Sequence, residues 1–86
     1  MTKIEFSRHA ERRIKLYSIA EIDIINTLNE YLKKNKIIYG KHDIINKELS
    51  EKYVYPIKII FTAEADKLII ISVFPLKRGY KNENIL

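Results

Sequence analysis

His9 and Arg13 stand four residues apart in a segment whose apolar positions, Phe6, Ala10, Ile14 and Tyr17, recur at helical spacing. Side chains so spaced project side by side, with Arg12 about one turn from His9 on its other side. An imidazole moves protons near neutral pH, and a guanidinium grips phosphate through two parallel bonds. The pair borders the apolar stripe, whereas Arg8 and Lys15 fall on the far face. The competing reading is structural: an arginine stem laid along the core edge with a hydrogen-bonded histidine beside it. A second cationic group, Lys77, Arg78 and Tyr80, follows the last apolar run around the breakers Pro75 and Gly79. Such residues can line a groove beside a sheet, or form a solvated basic tail.

Other chemistries are excluded by composition. Without cysteine there are no disulfides, thiolate metal sites or cysteine nucleophiles. His9 and His42 lie far apart without a local carboxylate pattern, so no metal and no cofactor is expected. Two isolated glycines cannot make a phosphate loop, and no Ser-His-Asp signature is visible. The remaining toolkit is histidine, lysine, arginine and tyrosine. It suits RNA cleavage, where the 2′-hydroxyl is the nucleophile and the protein moves protons and stabilises phosphate charge.

The chain has 86 residues and 10.2 kDa, enough for one domain spanning 1–86. Hydrophobic residues make up 47% of it, and 17 residues are isoleucine, so a core can form. Sixteen Lys+Arg against 11 Asp+Glu give +5, which favours a polyanionic partner. An AT-rich genome would itself enrich lysine and isoleucine, which lowers the weight of that charge. No basic start leads into an apolar run, and the longest uninterrupted apolar stretch is residues 68–71. A cytoplasmic protein without signal peptide or membrane span is therefore expected.

Two helices then three strands are predicted. The first helix runs to Tyr17 with Ser7 as N-cap. Ser18 and Glu21 fit a capping box, which starts the second helix at Ile19. Its apolar face gathers Ile22, Ile24, Ile25, Leu28, Tyr31 and Leu32. β-branched and aromatic runs predict strands at 37–39, 53–62 and 67–74, the last two joined by a hairpin through Glu64, Ala65 and Asp66. Pro56 either delays the middle strand to Ile57 or sits exposed. Residues 43–52 extend the first strand or form a polar excursion with a helical turn. In the last strand Ile69, Ile71 and Val73 would face one way, and Leu68, Ile70, Ser72 and Phe74 the other. Two helices cover one such face; a second copy, a protein partner, or Tyr53, Tyr55, Ile85 and Leu86 would cover the other. Tyr39, Tyr53 and Tyr55 read as packing residues more readily than as base-stacking ones.

The run Phe6-Ser7-Arg8-His9-Ala10-Glu11-Arg12-Arg13, with Ser18-Ile19-Ala20-Glu21-Ile22-Asp23-Ile24, resembles the opening of a small domain-of-unknown-function family marked by His-Ala-x-x-Arg. The ending Leu68-Ile69-Ile70-Ile71-Ser72-Val73-Phe74-Pro75 is similar to that family's last strand. That family is grouped with the RelE/ParE and BrnT-like toxins. Its members often carry another arginine and then glycine where this chain has Tyr17 and Ser18.

The resemblance implies a RelE-like α+β domain, two N-terminal helices packed on an antiparallel three- to four-stranded sheet. It implies His9 and Arg13 as the catalytic positions, with Lys77 or Arg78 on RNA phosphate after the last strand; the positions of Arg12 beside His9 and of Tyr80 beside Arg78 add these two as candidate phosphate-binding residues. The expected function is RNA binding, with metal-independent cleavage to a 2′,3′-cyclic phosphate as the reaction such a site would perform. The expected partners are RNA, free or on the ribosome, an antitoxin protein, and a second copy through the sheet. The alternative is a non-catalytic RNA- or protein-binding module.

Overall fold

The computed structural model describes residues 3–36 and 38–77. The element order is β1 (Lys3–Phe6), α1 (Arg8–Tyr17), α2 (Glu21–Lys34), β2 (Gly40–Asn46), α3 (Ser50–Tyr53), β3 (Ile57–Glu64) and β4 (Lys67–Pro75). The strands form one sheet in the order β1-β4-β3-β2. Two helices packed on a sheet were expected, and that is the architecture. The sheet is mixed, however: β3 pairs antiparallel with β2 and β4, but β1 lies parallel to β4. Residues 3–6 are too short for a strand pattern to register in the sequence, and Phe6 belongs to this strand rather than to the helical stripe.

Ser7 is the N-cap of α1 and accepts from the Ala10 amide at 3.0 Å. The same hydroxyl donates to the Ile71 carbonyl of β4 at 3.2 Å, and the Ser7 amide donates to Ile70 at 3.0 Å. One residue thus starts the helix and fastens it to the sheet. Ala10 and Ile14 are then buried against β4.

The start of α2 differs from the capping-box expectation. Ser18 closes α1 instead, with φ 55°, ψ 43° and its amide bonded to the last-turn carbonyls of Ile14 and Lys15. α2 begins at Glu21 after Ala20, whose side chain supplies no cap. Ile24 and Leu28 are its buried residues, whereas Ile22 is exposed, because two residues before Ile24 it lies about 200° round the helix from the buried row.

Of the strand expected at 37–39, Ile38 and Tyr39 lie outside any strand and Ile37 lies outside the described residues. Gly40, at φ +112°, opens β2, and the strand runs on through Ile44 and Ile45 to Asn46. The excursion that follows closes into the turn of α3, so both readings of 43–52 hold in succession. β3 begins at Ile57 after a buried Pro56, and the connection to β4 is the predicted hairpin.

A bulge changes the faces of β4. The pairing shifts between Ile60↔Ser72 and Phe61↔Ile70, leaving Ile71 without a direct partner. Leu68, Ile70 and Val73 therefore all enter the core with Ile57, Ile59, Phe61 and Ala63, instead of dividing between the faces. On the outer face the register places Ile45, Ile60, Ile69 and Phe74, each partly exposed, beside the Lys58–Asp43 and Lys67–Glu5 ion pairs. No helix among the described residues is long and apolar enough to cross a membrane.

Candidate functional site

α1 carries His9, Arg13 and Tyr17 at successive turns of one row. Its buried side is Ala10 and Ile14, so the row lies at the border between helix and solvent. Arg13 Nε donates to His9 Nε2 at 3.2 Å, and Arg13 Nη1 lies 3.5 Å from the Tyr17 hydroxyl. In that bond Nε2 of His9 is the acceptor. Lys77 extends the row from the far end of β4, its Nζ 5.9 Å from the centre of the Tyr17 ring. Three residues of one helix and a lysine sixty residues beyond it in sequence thereby form one line of chemistry.

His9 and Lys77 are exposed, while Arg13 and Tyr17 are half-buried. Among the described residues no carboxylate pairs with Arg13 or Lys77, which leaves both charges open to an anion. Arg12 is exposed on the same helix and takes no part in the row's contacts. Arg78 and Tyr80 lie outside the described residues.

Tyr17 faces two ways. Its hydroxyl meets Arg13, and its ring lines an open cleft of about 220 Å³ with Ile19, Tyr53, Tyr55, Ile57, Pro75 and Lys77. The expectation that Tyr39, Tyr53 and Tyr55 pack within strands holds only in part. None of the three is in a strand; Tyr53 is half-buried at the end of α3, Tyr55 is 37% exposed and Tyr39 is 68% exposed. Between the two cleft tyrosines, Val54 adopts φ 77°, a strained conformation for an exposed β-branched residue. The sequence offered no signal for the cleft, because α3 and this turn, rather than any strand, bring Tyr53 and Tyr55 beside Tyr17.

Other polar groups are occupied structurally. Lys52 Nζ lies 2.8 Å from the Asp23 carboxylate, and the Tyr53 hydroxyl donates to the same carboxylate. The bond from Lys52, then that from Tyr53, holds the Asp23 carboxyl below its usual range, while Asp23 in turn raises Lys52. His42 stacks on Phe61 at 5.3 Å between ring centres, a packing role, and lies on the opposite edge of the sheet from β1. Among the described residues no group of three or more acidic or histidine side chains is placed to hold a metal ion.

Comparison with protein-family models, with curated proteins and with solved structures finds no match to the chain. The functional reading rests on the chemistry of this row.

Proposed function

We propose that this domain binds RNA and cleaves it without a metal, in the manner of a RelE-like toxin. The observation that carries the reading is the Arg13 Nε to His9 Nε2 contact at 3.2 Å, continued through Tyr17 to Lys77. A phosphodiester arriving at the row competes for Arg13 and draws it from the imidazole, which frees the Nε2 lone pair beside the bound phosphate. His9 then takes the proton of the 2′-hydroxyl. The 2′ oxygen forms a bond to the adjacent phosphorus as the bond to the 5′ oxygen breaks, and His9 returns the proton to the departing oxygen. The products are a 2′,3′-cyclic phosphate and a 5′-hydroxyl. Arg13 and Lys77 oppose the charge that builds on the phosphate oxygens.

The test is induction of the wild-type chain and of His9→Ala/Arg13→Ala in cells, with transcripts mapped, and incubation of both proteins with RNA in EDTA. Growth arrest and cyclic-phosphate ends from the wild type alone are expected. Equal behaviour of the two proteins removes the catalytic role, and salt-sensitive binding without products at any pH leaves a binding module.

A second reading as a protein-interaction module draws on the partly exposed Ile45, Ile60, Ile69 and Phe74 of the outer sheet face. Through that face the partner is a second copy or an antitoxin. Sedimentation as a concentration-independent monomer removes the homodimer.

A further inference from the structure

We infer that the cleft between Tyr17, Tyr53 and Tyr55 is a nucleobase subsite, which takes one unpaired base of a single-stranded RNA whose phosphate lies on the row. The inference rests on the proposed function, because it names the part of the RNA held beside the cleavage row. Tyr17 is shared by both: its hydroxyl approaches Arg13 at 3.5 Å, while its ring is a wall of the cleft. Lys77 is shared too, being a cleft residue and the cation above that ring. A phosphate drawn to Arg13 and Lys77 therefore brings its attached nucleoside to the mouth of an aromatic slot. At about 220 Å³ the cleft is smaller than the ~300–1,000 Å³ of sites that enclose a drug-sized ligand, and a single planar base suits it.

The lining is made for stacking rather than for hydrogen-bond discrimination. Ile19, Ile57 and Pro75 supply apolar lining, the two isoleucines being buried, and three tyrosines with Lys77 complete it. The Tyr53 hydroxyl is already engaged by the Ala20 amide and Asp23, which fixes that ring in place. Tyr55 is the exposed wall, set by the strained Val54 backbone that separates it from Tyr53. Strain retained at an exposed turn is common where a side chain must be presented for binding. Base stacking tolerates every base, so the subsite selects unpaired RNA over duplex rather than one sequence over another.

The test uses a single-stranded 2′-O-methyl oligoribonucleotide, which cannot cyclise, and a base-free ribose–phosphate oligomer of equal length. Wild type should bind the first about 10-fold more tightly than the second, in line with stacking of one base on an aromatic side chain. Tyr55→Ala should lose about that factor on the intact oligomer and nothing on the base-free one, whereas Tyr55→Phe keeps wild-type affinity. Arg13→Ala should weaken both. Circular dichroism of Tyr55→Ala confirms that the exposed substitution leaves the fold intact. Equal binding of the intact and base-free oligomers by the wild type overturns the subsite while RNA binding stands. Undiminished binding of the intact oligomer by Tyr55→Ala overturns it too, and no binding of either oligomer overturns both proposals.

Discussion

The hydroxyl of Tyr53 accepts a hydrogen bond from the backbone amide of Ala20 at 3.0 Å. Ala20 is the N-cap of α2 and has no side-chain oxygen of its own, so a residue far along the chain performs the capping. The same hydroxyl donates to Asp23 in the first turn. Removing it in Tyr53→Phe leaves the Ala20 amide and the carboxylate each short of a partner. A loss of about 1–2 kcal/mol is expected, read as a lower urea midpoint with an unchanged slope.

Acid should act through the same cluster. Because folding lowers the Asp23 pKa from its ordinary 3.8, the carboxylate's contribution is complete above that value and is lost as pH falls through the lower folded value. Wild-type stability should decline below about pH 4, and Asp23→Asn, less stable at neutral pH, should show a smaller decline. Unfolding midpoints of the two proteins at neutral and acid pH measure the difference.

Ser18 and Val54 are the described non-glycine residues with positive φ, at 55° and 77°. Glycine relieves the left-handed strain at each, partly offset by its greater freedom when unfolded. Ser18→Gly and Val54→Gly should each raise stability by about 0.5–1 kcal/mol, detectable as an increase in Tm. Ser18→Gly should leave RNA binding untouched. Val54→Gly should weaken it, since the turn then no longer holds Tyr55 in the cleft.

Ser7→Ala should cost about 1–2 kcal/mol, as Ser7 both caps α1 and bonds the Ile71 carbonyl. Amide exchange should accelerate in the first turn of α1, where His9 sits, more than in β3.

RNA affinity should fall with salt at a slope near −2 if Arg12, Arg13 and Lys77 each meet a phosphate of a single strand. Arg13→Ala should flatten that slope by about 0.7. An unchanged slope removes Arg13 from the phosphate contacts.

The order of helices and strands was readable because periodicity and β-branched runs are local signals. Ser7 announced its helix in the same local way. Ser18 did not, since a serine before an acidic residue suits either the end of one helix or the start of the next, and its left-handed backbone decided between them. The real cap of α2 came from Tyr53, a contact across the fold that no window of sequence contains. β1 escaped notice because its pairing with β4 joins the two ends of the described chain. His9 beside Arg13 followed from helical spacing alone, whereas their junction with Lys77 depends on where β4 ends and on Tyr17 standing between.

The bulge in β4 has a meaning for insertions and deletions. Leu68 and Val73 are an odd number of residues apart, yet both lie in the core, because Ile71 is skipped in the pairing. The strand thus changes parity midway, and Lys77 leaves it on the side of α1 rather than the opposite one. Deleting Ile71 would remove the bulge and keep Ile60↔Ser72 and Ile59↔Val73 in register, so Val73 stays in the core and Lys77 stays beside Tyr17. The extra residue is thus dispensable to the alternation, whereas the count of residues from Ser72 to Lys77 is as much a part of the site as the histidine is.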